Sequence, residues 1–294
     1  VYEIKKHLVS VYTTVLHLVP EQARPLIQQM YRLYEVDNLK AVLRGVMIGE
    51  TWQKVRFTLF PLGEDASFPF QAMMESTSIE SAIEYLRATP YYFPVSHAME
   101  RFHAEQSLFP LEVSLDLDYW RELWKNVKRL ELRDRNRVMR LIGPVLDENN
   151  LTWALRYRHY HHLSEEEIIN YTLPFGFHVK DEDIRAIAAG GDAARIIDRA
   201  YPVIASDNLL MGKLEKSLPE LELQLQRHTQ RECREAFSGY PFHAGIPVAY
   251  LLLTEMEIQD LTVLLEAKSM NIPVDRFRRY LLISCDLADA KATI

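Results

Sequence analysis

The chain has 294 residues, a formal charge of −7 and 48% hydrophobic residues. The acidic balance argues against general affinity for nucleic acid or anionic membranes, and the apolar share is ample for packed cores. Two cysteines, Cys233 and Cys285, make no disulfide framework and point to a reducing compartment. The longest apolar run, 246–253, is far short of the ~20 residues a helix needs to cross a bilayer. No signal peptide pattern is visible.

In chain order, helical periodicity opens the sequence through Leu8, Val11, Val15 and Leu18, with Pro20 as punctuation. An amphipathic stretch over 24–33 leads into a helix reaching Arg44. Gly49 marks a turn, residues 52–60 continue as helix, and Pro61 and Gly63 end it. A short acidic amphipathic helix covers 79–86. Residues 90–97 read as a linker, 99–106 as helix, and Phe109-Pro110 as a break. Leu117, Trp120, Leu123, Trp124 and Val127 give 117–132 one apolar side, and 133–137 is a charge run expected on a solvated face. The next helix ends near Tyr160. Ser164 with Glu167 fits a capping box for a helix reaching Tyr171. Helices follow over 182–188 and 192–200, around a break at Gly190-Gly191. Residues 209–237 are helical with an interruption at Pro219. Gly245 and Pro247 precede a long helix, 271–273 turn the chain, and Phe277, Tyr280 and Leu281 belong to a second helix. Strand signals are almost absent, so the chain reads as all-α.

One pattern occurs three times: VDNLKAVLR at 36–44, ENNLTWALR at 148–156 and IQDLTVLLE at 258–266. Each has Asn or Asp, then Leu, Leu four residues on, and a charge. The spacing is longer than the ~20–50 residues of a solenoid, so the pattern implies three small domain-like units, 1–95, 96–205 and 206–294. The leucine pairs Leu39/Leu43, Leu151/Leu155 and Leu261/Leu265 are expected to point into their own units. A Leu/Pro/Gly break follows the first two copies, at 59–63 and 173–176, and short helices follow each break. The third unit has neither. It is expected to be finished by a segment preceding Val1, leaving Phe277, Tyr280 and Leu281 less covered than residues 52–60 and 168–173.

A polar stripe accompanies each copy: Asp37, Lys40 and Arg44; Asn149, Thr152 and Arg156; Gln259, Thr262 and Glu266. Two readings stay open, a solvated face with helix-local pairs and the lining of a shared polar surface. Candidates for chemistry are thin. His159 and His162 share a helix face at i, i+3 if the helix continues through them, with Glu165 and Glu166 following. Zinc sites need three or four converging ligands, and no second ligand cluster is evident. Gly190-Gly191 precedes a helix, but no Gly-Lys-Ser/Thr follows. Met73-Met74 and Tyr91-Tyr92 read as core or interface. No residue is assigned a catalytic, cofactor-binding or metal role.

The ordered set YEVDNLKAVLRG at 34–45, YLRATPY at 85–91, LPFG at 173–176 and GIPVAYLL at 245–252, running into Glu257 and Leu261, resembles the C subunit of the prokaryotic V/A-type ATPase, the relative of the d subunit of eukaryotic V-ATPase. The resemblance covers nearly the whole chain. Two departures stand out. The family usually has a further N-terminal stretch before the point where this chain begins. The longer insertions of the eukaryotic d subunit are not evident, which favours a prokaryotic protein.

The resemblance implies a funnel of three similar helical units about a pseudo-threefold axis. It also implies a non-catalytic role; the lack of a convincing ligand set or phosphate loop adds the expectation that no cofactor, metal or nucleotide is needed. The narrow end would sit on the membrane proteolipid ring, on the cytoplasmic side and peripheral to the bilayer. The open end would receive the central axle of subunits D and F, so that the chain transmits torque for ATP-linked proton or sodium transport. The competing reading is a cytosolic helical scaffold for an unrelated protein partner; an enzyme would need a converging polar pocket that the sequence does not display.

Overall fold

The structure is a computed structural model that describes residues 1–205 and 214–282. Helices build it, and no β-strand occurs among the described residues. Packing divides the chain into two compact units, 1–128 and 129–294.

The first unit runs through α1 (Tyr2–Leu18), α2 (Arg24–Ile48), α3 (Trp52–Val55), α4 (Phe70–Met74), α5 (Ile79–Ile83), α6 (Tyr92–Glu105) and α7 (Phe109–Arg129). Helix α2 is its axis. One side buries Leu26, Ile27, Leu39, Val42 and Leu43 almost completely, and α4 and α5 lie across it. Gly49 ends α2 in the left-handed region, φ +69°, and lets the Glu50 N–H reach back to the Gly45 carbonyl at 2.8 Å. Residues 90–97 are not a linker. Pro94 falls in the first turn of α6, where its missing N–H costs no helical bond. Pro110 does the same for α7, so Phe109-Pro110 starts a helix rather than breaking one. Helix α3 is shorter than expected, one turn within 52–60.

The second unit contains α8 (Leu132–His159), α9 (Glu165–Asn170), α10 (Asp181–Ala188), α11 (Ala193–Ala200), α12 (Pro202–Ala205), α13 (Leu214–Glu235), α14 (Gly245–Ser269) and α15 (Val274–Phe277). The charge run at 133–137 is the first turns of α8, and Arg133 lies over the Tyr240 ring at 4.5 Å. The expected capping box holds: the Glu167 N–H donates to Ser164 Oγ at 3.3 Å, and the Ser164 N–H to Glu167 Oε2 at 2.8 Å. Pro219 lies inside α13, which continues through it. Part of the 209–237 stretch, 209–213, lies outside the described residues. In place of a second hairpin helix, the chain after Pro273 forms α15 and a single 3-10 turn. Helices α8 and α13 form the main packed pair, and α14 leans on both.

Candidate interaction surface

The repeated pattern acts through its polar residues. Asn38 Nδ2 donates to the Phe60 carbonyl at 2.8 Å, and the Phe60 N–H donates to Asn38 Oδ1 at 2.7 Å. Asn150 treats Leu173 identically, at 2.9 and 2.8 Å. A side-chain amide offers a donor and an acceptor in one plane, so it pairs with a backbone residue as another peptide would. In the third copy Asp260 Oδ1 accepts from the Leu282 N–H at 2.8 Å. The separations are 22, 23 and 22 residues. All three side chains are buried.

Three residues earlier on each helix stands a carboxylate. Glu35 accepts from the Ser67 N–H, from Ser67 Oγ at 3.1 Å and from the Tyr91 hydroxyl at 2.5 Å. Asp147 accepts from the N–H groups of Phe177, His178 and Val179 at 2.7, 2.6 and 3.1 Å and from the Tyr201 hydroxyl at 2.7 Å. Gly176 permits this loop, because a Cβ there would stand 1.9 Å from the Val179 carbonyl oxygen. Burial raises the Asp147 pKa, opposed by the hydrogen bonds from Tyr201 and the three backbone groups. Burial, then the neighbouring carboxylate, pushes the Tyr91 and Tyr201 hydroxyls well up. Both networks are fully occupied, which suits them to fix loops rather than perform chemistry. Sequence reading passed over them, although the signal was there: a carboxylate three positions before each Asn or Asp, and a tyrosine beside a proline at Pro90-Tyr91 and Tyr201-Pro202.

The polar stripes of the first two copies each pair with a neighbouring helix, with Arg44 and Arg156 at their exposed ends. Helix α7 runs antiparallel along α2: Gln29 Nε2 donates to the Tyr119 carbonyl at 3.2 Å, Lys40 pairs with Asp116 at 2.7 Å, and Arg44 grips Glu112 through Nε and Nη2 at 2.5 and 2.8 Å. Helix α13 runs antiparallel along α8: Arg140 pairs with Glu232 at 2.8 Å, Gln226 Nε2 donates to Glu148 at 2.9 Å, and Arg156 pairs with Glu222. Burial lifts the Glu148 carboxyl to about 8. Each of these stripes pairs with a long neighbouring helix of the same compact unit.

The third copy is different. Gln259 and Glu266 are exposed, as is Glu257, the counterpart of Glu35 and Asp147. Leu261 and Leu265 are 41% and 44% exposed, against 0–3% for Leu39, Leu43, Leu151 and Leu155. The expectation that all six leucines point inward therefore fails for these two: no short helices comparable to α4, α5, α9 and α10 lie against the second half of α14 among the described residues. Tyr280 is 43% exposed and Phe277 half-buried, but Leu281 is as buried as its counterparts, because it lies beside Leu282, which packs on Leu223 and Met256. Among the described residues, Leu261, Leu264, Leu265 and Glu266 on the outer half of α14 are exposed.

The remaining candidates resolve as structure. Helix α8 ends at His159, and His162 leaves the helix with φ +52°, so the two histidines do not share a helical face. Among the described residues no group of three or more His, Cys, Asp or Glu converges on a metal site. Gly190, φ +102°, and Gly191 close α10, the Gly191 N–H returning to the Ala186 carbonyl at 2.7 Å. The Arg158 guanidinium donates to the Ile187 and Ala188 carbonyls of the same helix end. Met73, Met74 and Tyr91 are core residues. Cys233 is a buried free thiol, pushed up to about 12 chiefly by burial. No helix among the described residues is long and apolar enough to cross a membrane.

Comparison with known proteins gives the family. A family model described as ATP synthase (C/AC39) subunit matches residues 2–280. The chain belongs to this family. Three relatives of the C/AC39 chain are each named as the C subunit of an A-type ATP synthase. The protein of Methanocaldococcus jannaschii is 19% identical over 280 residues, 94% of this chain and 70% of its own length. That of Methanococcoides burtonii is 23% identical over 285 residues, 96% and 78% respectively. That of Methanosphaera stadtmanae is 24% identical, with 94% and 72% covered.

Proposed function

We propose that this C/AC39 chain is a non-catalytic part of a rotary A/V-type ATP synthase, coupling the central axle to the membrane proteolipid ring. The family match over residues 2–280 carries the reading, and relatives named as the C subunit of A-type ATP synthases support it. The chain holds its position as a peripheral subunit on the cytoplasmic face, between the ring and axle subunits D and F. It transmits torque for proton or sodium transport and contributes no catalytic residue. The three pattern-bearing segments, 1–95, 96–205 and 206–294, are three forms of one unit; the Asn38, Asn150 and Asp260 clasps at matching separations support this. Helices clasped by fully occupied polar networks suit a part that must pass on torque without yielding.

Co-expression tests it. The tagged chain is expected to retain the axle pair and, in detergent, the proteolipid ring, with or without chelator or nucleotide. Retention of neither, under conditions in which axle and ring subunits are themselves folded, would leave only a scaffold role.

A further inference from the structure

We infer that the end of the second unit where α8 and α14 begin is a membrane-contact surface, in which Arg133 and Arg137 meet the phosphates of anionic phospholipids while Leu132, Tyr240 and Phe242 enter the interface beside them. The inference goes beyond the rotary reading and does not need it. The chain carries −7 overall, yet residues 129–140 hold five arginines against two carboxylates. Arg133, Arg135 and Arg137 stand in the first two turns of α8, where a cation opposes the helix dipole. Asp134 offsets one of them. The start of α14 adds a second positive helix end: Gly245 lines a cleft of about 310 Å³ with Arg137, Arg140, Ser238 and His243.

The unit does not neutralise this charge itself. Arg140 pairs with Glu232 and Glu235 at 2.8 and 3.6 Å, which occupies the acidic side of the cleft. Arg137 enters no hydrogen bond or ion pair among the described residues, and Arg133 lies over the Tyr240 ring. His243, 9% exposed, accepts from the Gly245 N–H through Nδ1 at 3.1 Å. Burial, then Arg137, lowers its pKa, so the ring is neutral and its proton sits on Nε2. That donor has no partner, an uncommon state for a buried group. Around the cleft, Phe242 is 79% exposed, Leu132 62% and Tyr240 49%, and Tyr240 meets Phe242 edge-on with ring centroids 5.6 Å apart. An acidic protein segment would pair the arginines and leave Phe242 and Leu132 bare. A bilayer interface satisfies the whole set: guanidinium on phosphate, phenol at headgroup level, phenyl and leucyl groups in the acyl boundary.

The probes are vesicles of phosphatidylcholine alone and of phosphatidylcholine with about one-third phosphatidylglycerol. In flotation, the full 294-residue chain is expected to rise with the anionic vesicles and much less with the neutral ones. R133E/R137E is expected to weaken partitioning onto the anionic vesicles by about tenfold or more, as two cations at a charged surface allow. F242S is expected to weaken it about fivefold. The charge-matched control R195E/R276E alters two exposed arginines elsewhere in the same unit and should stay within about twofold of the parent. An unchanged helical circular dichroism spectrum confirms that each variant folds. No flotation with anionic vesicles overturns the assignment, as does equal loss in the two charge variants or full binding by F242S. Binding of soluble polyglutamate that R133E/R137E abolishes and F242S leaves intact overturns it too, and would make the occupant an acidic protein segment.

Discussion

Asn38 and Phe60 stand 22 residues apart and exchange two hydrogen bonds, one in each direction. Asn150 and Leu173 repeat the exchange in a drier setting, Leu173 being fully buried and Phe60 only partly so. Removing the amide leaves a backbone donor and acceptor without partners, at about 1–3 kcal/mol for each group fully enclosed. Asn150→Leu is therefore expected to cost about 2–4 kcal/mol and Asn38→Leu distinctly less, read from urea midpoints at unchanged m. Equal costs would show that burial does not set the value of the clasp.

Asp147 satisfies three backbone N–H groups and one hydroxyl. Asp147→Ala orphans all four, and a loss of about 3–5 kcal/mol follows. Tyr201→Phe removes one donor, for about 1–2 kcal/mol. Because both changes touch one network, the double variant should lose less than the sum, with a coupling of at least about 0.5 kcal/mol. Glu257→Ala, at the matching exposed position, is expected to stay within about 0.5 kcal/mol of the parent. Strict additivity at Asp147 and Tyr201 would argue against a shared network.

Leucine truncation separates the copies. Leu39, Leu43, Leu151 and Leu155 are 0–3% exposed, and alanine at any of them is expected to cost about 2–5 kcal/mol. Leu261 and Leu265 are exposed by 41% and 44%, so alanine there removes far less buried area and should cost under about 1 kcal/mol. Large losses from Leu261→Ala in the isolated chain would mean that this face is already covered.

Glu148 predicts a pH dependence. Folded, its carboxyl keeps its proton up to about pH 8; unfolded, it releases it near the ordinary glutamate value of about 4.3. Between those limits the folded chain holds one more proton than the unfolded chain. Stability therefore falls as pH rises, by at most about 1.4 kcal/mol per pH unit, and levels off above the folded value. Glu148→Gln removes this slope while leaving a partner for Gln226, so its advantage over the parent should grow with pH and then hold constant. Asp147, also raised, contributes its slope to both proteins. Guanidinium midpoints across the range check it; parallel profiles would show that Glu148 is ionised when folded.

Much of this molecule was written in local signals. The helical class, the Ser164–Glu167 capping box and the recurrence of the three clasp positions follow from residue spacing, because backbone periodicity and cap chemistry depend on neighbours a few positions away; the family resemblance rests on the ordered motifs at 34–45, 85–91, 173–176 and 245–252. Local signals misread the prolines. Pro94 and Pro110 break a helix or open one according to which turn they occupy, and tertiary packing sets that register. Three things only the tertiary structure decided. Asn38 and Asn150 hold backbone more than twenty residues away, a distance no periodicity encodes. Arg44 and Arg156 find glutamates on helices later in the chain. Leu261 and Leu265 carry the same spacing as their buried counterparts and still face outward, because a leucine's position on its own helix is local, whereas its burial depends on what another segment lays across it.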